Sequence, residues 1–265
     1  MSTLRILVRG GGDLASGVIL RLHRAGWHIL VAELERPLVV RRYVSFARAV
    51  FDGEINVEDV RARRVATVAE AEAALSDGLI PVMVDPNLSA LSGFHPDVLV
   101  DARMTKRPPE YRMDAAPLVI GLGPGFTAGK DCHAVVETNR GPFLGRVFWQ
   151  GTAQPDTGIP ERVGEYRVER VLRAPVEGAV ETVAEIGTHV RQGDVIARID
   201  GREVLAPFDG VIRGVVQSGL WVRAGEKIGD VDPRDDERLC WLVSDKSLSV
   251  AGGVVEAILA WKNKH

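Results

Sequence analysis

The segment Arg9-Gly10-Gly11-Gly12-Asp13-Leu14-Ala15-Ser16-Gly17 follows an apolar run and opens a helical pattern. Within it, Gly10, Gly12 and Ala15 match the G-x-G-x-x-A form of a dinucleotide loop. Gly10 permits a tight turn and Gly12 lets the backbone approach a pyrophosphate. The helix N-terminus then offers amides and partial positive charge to an anion. Glu33, 21 residues beyond Gly12, stands where an acidic side chain hydrogen-bonds ribose hydroxyls. The alternative is a glycine turn that only packs helix on sheet. Asp13 complicates the binding reading, because a carboxylate repels a bound phosphate unless it caps the helix.

A second glycine-rich loop, Gly121-Leu122-Gly123-Pro124-Gly125-Phe126-Thr127-Ala128-Gly129-Lys130-Asp131, follows another apolar run. It is either a phosphate-cradling nest at Gly121, Gly123 and Gly125 or a loop that needs several positive φ angles. Arg103, Lys106, Arg107, Lys130 and Arg140 cluster around it in sequence, either to neutralise an anionic ligand or as solvated surface charge. Asp131 and His133 are metal-ligand types. A strand over 131–138 puts both on one face, but at about 3.3 Å per residue Glu137 is some 13 Å from His133, too far to share an ion. A metal site there needs Asp131, His133 and residues from elsewhere. The sequence contains no G-x-S-x-G, no H-E-x-x-H and no Walker lysine, which removes the usual support for hydrolase and kinase readings.

The elements that position these residues follow from periodicity. Up to about Trp149, Val/Ile/Leu-rich runs at Leu4–Val8, His28–Ala32, Pro81–Val84, Val98–Val100 and Leu118–Ile120 alternate with helical patterns, as βαβ units require. Leu14, Val18, Ile19 and Leu22 share a helical face closed by Gly26. Thr67 and Glu70 form a capping box for a helix through Leu75. From Val168 to Val231 the pattern repeats: Ala174-Pro175, Gly178, Gly187, Val190-Arg191, Gly193 and Ile196 recur 32 residues later from Ala206-Pro207 to Ile228. Asp200-Gly201 is the expected hairpin turn between the copies. A helix over Val250–Trp261 is expected to pack on one of the two domains.

The expected fold class is therefore an α/β Rossmann-like, mainly parallel sheet followed by an all-β barrel-sandwich hybrid domain. The expected boundaries are 1–165, 166–233 and a helical segment at 234–265. The polar loop over 150–160, which joins the halves, is a candidate cleft lining.

Composition narrows the function classes. The 265 residues are 46% hydrophobic and 26% charged, ordinary globular usage. With 33 basic against 36 acidic residues, a net charge of −3, there is no bulk attraction for nucleic acid or anionic lipid. The start lacks signal-peptide features and no apolar run reaches a membrane span, so a cytoplasmic location is expected. Cys132 and Cys240 form no Cys-x-x-Cys pair and read as buried small side chains.

The repeat half resembles the biotinyl/lipoyl barrel-sandwich domain through Ala174-Pro175-x-x-Gly178, Val190-Arg191-x-Gly193-Asp194 and Ala206-Pro207-x-x-Gly210. Its central hairpin reads Ile199-Asp200-Gly201-Arg202-Glu203, with no lysine between Lys130 and Lys227. An arginine cannot form the amide link to biotin or lipoate, so a carrier role is excluded and a structural or docking role is expected. The whole chain resembles the YqeB family of selenium-dependent molybdenum hydroxylase accessory proteins. The resemblance rests on 10–17, Arg41-Arg42, Ser45-Phe46, Ala49-Val50, Val84-Asp85-Pro86, Asp101-Ala102-Arg103, the run from Gly121 to Gly141, and Leu144-Gly145-Arg146-Val147. It implies a role in maturing molybdenum hydroxylases such as xanthine dehydrogenase.

The leading expectation is an accessory protein that binds a small anionic ligand, a nucleotide such as NAD(P) or a molybdopterin-type cofactor. Gly10, Gly12, Asp13, Ala15 and Glu33 form one wall; Arg103, Lys106, Gly121, Gly123 and Gly125 form a second. A molybdenum hydroxylase client is the expected partner, with room for a homo-oligomer and no nucleic acid or membrane. The alternatives are an NAD(P)-dependent oxidoreductase using His133 or Asp101, and a purely structural docking module.

Overall fold

Apolar runs of four to six residues become the central strands of the computed structural model, which describes residues 3–156, 158 and 162–264. The chain divides into two units: Met1–Pro37, Phe46–Asp156 and Val243–His265 make the first, and Leu38–Ser45 with Thr157–Leu242 the second. Of the polar loop over 150–160, positions 157, 159 and 160 lie outside the described residues.

In the first unit the order is β1 (Arg5–Arg9), α1 (Asp13–Arg24), β2 (His28–Glu33), α2 (Ala49–Asp52), β3 (Glu54–Val57), β4 (Val60–Val65), α3 (Val68–Ser76), β5 (Ile80–Val84), α4 (Leu91–Phe94), β6 (Val98–Asp101), β7 (Leu118–Leu122), β8 (Thr127–Ala128), β9 (Ala134–Val136), β10 (Val147–Phe148) and β11 (Gly151–Thr152). One nine-stranded sheet runs β10-β9-β7-β6-β1-β2-β5-β4-β3, and β8 pairs with β11 separately. Residues of β6 and β7 are buried throughout, as strands covered on both faces require. Leu7, Leu30, Leu99 and Val119 pack on one face with Phe94, Phe126 and Ala71 of α3.

Thr67 caps α3 by accepting the Glu70 N–H at 3.2 Å. The C-terminal helix α5 spans Asp245–Lys262, starting five residues before the periodic run because Ser244 accepts the Ser247 N–H at 3.1 Å. It packs against α1 where a side chain on Gly17 would meet Ser247 Cβ at 2.4 Å.

In the second unit lie β12 (Val171–Arg173), β13 (Gly178–Thr182), β14 (His189–Val190), β15 (Val195–Ile199), β16 (Arg202–Leu205), β17 (Gly210–Val215), β18 (Trp221–Val222) and β19 (Lys227–Asp232). They form two four-stranded antiparallel sheets, β12-β19-β17-β14 and β16-β15-β13-β18. The strands starting at Gly178, His189 and Val195 recur at Gly210, Trp221 and Lys227, and short strands exchange between copies: β14 pairs with β17, and β18 with β13. Asp200 and Gly201, both at positive φ, turn β15 into β16. Arg42 fixes the inserted segment from within, its guanidinium donating to Val215 O, Gln217 and Glu185.

The expected class, a Rossmann-like mainly parallel sheet followed by a barrel-sandwich hybrid domain, is corrected. The first sheet is a large mixed one: β3 and β10 join it antiparallel at its two edges. After β2 the chain does not add the next parallel strand of a dinucleotide fold. It forms the β3–β4 hairpin at the edge, and β5 returns to fill the place between β4 and β2. The remaining strands form separate antiparallel sheets. The physical reason is that a hairpin closes locally on few residues, and its half-polar strands suit an edge. Periodicity alone does not reveal that insertion.

Candidate functional site

Strands β1, β2, β5, β6 and β7 run parallel in register, so their C-terminal residues lie side by side: Arg9 beside Ala32 and Asp101, Glu33 beside Val84, and Asp101 beside Gly121. In open α/β sheets this is the edge at which loops leave backbone groups and side chains free to meet a ligand. A narrow pocket of about 20 Å³ opens there between Arg9, Gly10, Glu33, Asp85, Pro86 and Arg103, with Ala32 and Leu34 completing its wall. A wider pocket of about 470 Å³ lies at the ends of β4 and β5, lined by Gly53, Arg64, Val65, Ala66, Glu70 and Val84.

Gly10, at φ +94°, makes the turn after β1, and a Cβ there would lie 3.4 Å from Arg103. Its N–H donates to Ala32 O at 2.8 Å. The Gly11 N–H donates to Glu33 Oε2 and the Leu34 N–H to Glu33 Oε1, each at 2.7 Å. Burial pushes the Glu33 carboxyl above its ordinary range, and the two N–H donors pull against that shift. Gly11 O accepts the Ala47 N–H at 2.8 Å, and Ser16 Oγ accepts the Phe46 N–H at 3.0 Å. The turn at 46–48 therefore sits on the glycine loop. The loop packs helix, sheet and turn together, and Gly10 lines the pocket. Gly12 is the N-cap of α1 and Asp13 its first residue, so Asp13 does not stand at the capping position; Ala15 is buried.

The charged part of the pocket is a network of four side chains. Asp101, fully buried, accepts Arg103 Nε at 3.0 Å and Nη2 at 2.8 Å, and Arg9 Nη1 lies 3.9 Å away. Glu110 Oε2 accepts Arg9 Nη1 at 2.8 Å and Arg103 Nη2 at 3.1 Å. Arg9 also donates to Pro86 O at 2.7 Å. The Arg103 guanidinium, foremost, holds the Glu110 carboxyl down to about 2. For Arg103 burial favours the neutral form, but the hydrogen bonds to Asp101 and Glu110 outweigh it and raise its pKa. Asp85 caps the turn at 89–90, accepting the N–H groups of Ser89 and Ala90 at 2.8 Å. The Tyr111 ring lies 5.8 Å from the Arg9 guanidinium, and burial, with the Asp101 charge, pushes its phenol well up.

Of the expected binding residues, the structure brings Gly10, Glu33 and Arg103 to one pocket, with Gly12, Asp13 and Ala15 following at the helix start. Lys106, Gly121, Gly123 and Gly125 do not line it. Lys106 pairs with Asp156. A Cβ on Gly121 would meet the Phe126 ring at 2.3 Å, one on Gly123 the Thr138 Oγ1 at 2.4 Å, and one on Gly125 the Arg107 N at 2.7 Å. The second glycine loop is thus shaped by close packing around Phe126, Thr138 and the 106–107 backbone.

Asp131 accepts the Thr127 N–H at 2.9 Å, and His133 Nδ1 accepts the Val119 N–H at 2.9 Å, while burial lowers the His133 pKa. Within 131–138 the strand is Ala134–Val136, so the one-face arrangement of a strand over the whole stretch does not arise. Among the described residues no group of three or more His, Cys, Asp or Glu is placed to hold a metal ion. Glu137, fully buried, accepts the N–H groups of Thr138, Asn139 and Gln154, each at 2.7 Å. Burial pushes the Cys132 thiol up to about 12, away from thiolate chemistry. Arg9 and Glu110 are the site residues that sequence reasoning missed. A charge closing an apolar strand is a usable signal for Arg9, whereas Glu110 reaches the site from an irregular segment that has none.

No family model matches the chain. It is 48% identical over 254 residues to the uncharacterized protein YqeB of Escherichia coli strain K12, an alignment covering 96% of this chain and 47% of that protein. The chain thus spans about half the length of the curated relative it matches. Among solved structures it is similar to an aspartoacylase family protein of Mesorhizobium loti (TM-score 0.29, 14% identity, 87% of this chain and 85% of that one). A succinylglutamate desuccinylase of Silicibacter gives a TM-score of 0.25 at 13% identity over 87% and 85% of the two chains. Likenesses this slight transfer no chemistry. Among the described residues no helix is long and apolar enough to cross a membrane.

Proposed function

The chain belongs to the YqeB family over the region it shares with the Escherichia coli protein, and from that premise we propose that it is an accessory protein in the maturation of molybdenum hydroxylases of the selenium-dependent, xanthine dehydrogenase type. Its nine-stranded unit binds an anionic nucleotide or molybdopterin-type cofactor, and the antiparallel unit, which lacks a carrier lysine, serves docking. The accessory role is supported by the family motifs. The binding role rests on one observation: Arg9, Gly10, Glu33 and Arg103 line a single pocket at the C-terminal edge of the parallel strands. Two guanidiniums attract an anion, and Glu33 offers acceptors to hydroxyl or ring N–H groups. In the oxidoreductase alternative the chemistry falls to His133, whose Nδ1 accepts the Val119 N–H, or to Asp101, which Arg103 holds.

The test is a thermal-shift panel of the full chain with NAD(H), NADP(H), ATP, GTP, CTP and molybdopterin-type ligands. A ligand at 100 times its dissociation constant adds about 2.7 kcal/mol, or roughly 5–10 °C for a chain of this size. The reading expects a shift that Gly12→Asp abolishes. Silence across the panel, or a shift indifferent to Gly12→Asp, removes the first glycine loop as the site.

A further inference from the structure

The wider pocket, about 470 Å³ at the ends of β4 and β5, shares no lining residue with the narrow one and falls within the volume range of small-molecule sites, about 300–1,000 Å³. Its charged lining residues are Arg64 and Glu70; the others, Gly53, Val65, Ala66 and Val84, are small or aliphatic. Neighbouring residues of a strand point to opposite faces. Val65 packs with Ala71 and Leu75 of α3 on one face, whereas Arg64 turns to the other, where its Nη1 donates to Val50 O of α2 at 2.8 Å. Glu70, in the first turn of α3, folds back to accept the Ala66 N–H at Oε2, also at 2.8 Å. The two charges thus reach the pocket from opposite sides of the β4 end, and among the described residues neither joins an ion pair. Each is anchored to backbone through one atom and keeps the rest of its head group for a ligand. The charges around them are already matched. Asp52 pairs with Arg48 and Glu54 with Arg61 and Arg63, while beyond Val84 both Glu33 and Asp85 accept two backbone N–H groups. The pocket's own charge sums to zero, carried at two separate points.

We propose that this pocket binds a small zwitterionic amino acid, with its carboxylate on the Arg64 guanidinium, its ammonium on Glu70 and its carbon chain against Val65, Ala66 and Val84. An anion alone meets the Glu70 charge in the same space, and a cation alone meets Arg64. Only a ligand carrying both signs matches both walls. Arg64 suits the carboxylate because its planar head keeps a row of donors after Nη1 is engaged, and Glu70 keeps Oε1 to accept from an ammonium. Because the two head groups do not meet, the ligand closes the gap between them, and its methylenes lose water against the aliphatic wall. The inference is independent of the cofactor reading, which concerns the other pocket.

The experiment is isothermal titration of the full chain at neutral pH with glycine, γ-aminobutyrate and ε-aminocaproate, each beside its single-charge analogues: acetate and methylamine, butyrate and butylamine, caproate and hexylamine. At least one of the three zwitterions is expected to bind about tenfold or more tighter than both of its analogues, and the chain length that binds best reads the spacing of the two charges. Arg64→Gln and Glu70→Gln, both at exposed positions, are each expected to abolish that preference; glutamine at position 70 keeps the capping box with Thr67. A thermal melt of each variant reports whether it folds, and the zwitterion-to-analogue comparison in the unaltered protein decides by itself if one does not. Absence of binding by all three zwitterions, equal affinity for each zwitterion and its analogues, or a preference that survives either substitution in a folded variant overturns the proposal.

Discussion

Two strand ends, one in each unit, carry the same local device. At the end of β6, Asp101 binds Arg103 through its backbone N–H, Nε and Nη2; at the end of β19, Asp232 binds Arg234 through the same three groups at 3.1, 2.9 and 2.7 Å. Both aspartates are fully buried, and each has a second arginine just under 4 Å away, Arg9 in one case and Arg213 in the other. The difference lies in the head of the fork. The Arg234 side chain is 49% exposed and water screens its charge, whereas Arg103 is shut in and takes up a second carboxylate, Glu110. An Asp-x-Arg staple is therefore only a strand-end closure until burial removes the water from it. Then its guanidinium draws in a further carboxylate of the protein, here Glu110.

The largest effect separating the two is expected from removing each aspartate. Asp101→Asn leaves two buried guanidiniums with one exposed partner and should lower unfolding free energy by about 3–5 kcal/mol. Asp232→Asn should cost roughly 1–2 kcal/mol, since Arg234 can hydrate. Urea titration of both variants decides; equal losses would break the comparison.

Next comes Glu33→Gln, expected to cost about 1–3 kcal/mol because an amide NH2 would face one of the two backbone N–H donors. Its pH signature has a definite sign. The Glu33 carboxyl is raised in the folded chain, so the native state binds more protons between the ordinary glutamate value and the raised one. Stability falls as pH rises through that window, and Glu33→Gln should flatten that part of a melting-temperature profile recorded from pH 4 to 8.

Smaller again, Arg234→Gln should cost about 1 kcal/mol by the same urea titration, because the buried Asp232 carboxylate loses the guanidinium fork and keeps one amide donor. A large loss there would show that the second staple is not merely a screened closure. Smallest is Glu110→Gln, worth roughly 0–1 kcal/mol in stability at low salt because the side chain is exposed. The Glu110 carboxyl is depressed to about 2, so its contribution is complete above the ordinary glutamate value and disappears as pH falls through about 2. An acid titration of the folded protein, followed by NMR of the carboxyl carbons, checks this.

The central strands were legible to within a residue or two. Leu118–Ile120 extends to Leu122 and Val98–Val100 to Asp101, because long apolar runs must be buried on both faces. The β3–β4 hairpin was not legible. Its Arg61, Arg63 and Glu54 pair with one another on an edge that faces solvent, which leaves a weak apolar signal and led to the wrong fold class. In the site, Gly10 and Glu33 were readable because local spacing fixes a turn and a strand end, whereas Arg103 was read only as one of the basic residues around the second glycine loop. At the second glycine loop the sequence left two alternatives open, a phosphate nest and a loop needing positive φ angles, and the structure shows close packing around Gly121, Gly123 and Gly125. Glycines demanded by neighbouring rings and backbone look, in one dimension, like glycines demanded by a phosphate.

By itself the sequence determined the apolar strands, the helix caps, the 32-residue repeat and the residues that make each staple, since all depend on neighbours a few positions apart. Only the tertiary structure decided which staple is dry, which glycines face a pocket, and that Glu110 completes a pair with Arg9 from 101 residues away. The reason is physical. Hydrogen-bond forks and periodic faces are local properties of a chain, whereas the strength of a charge depends on how much water the rest of the fold leaves around it.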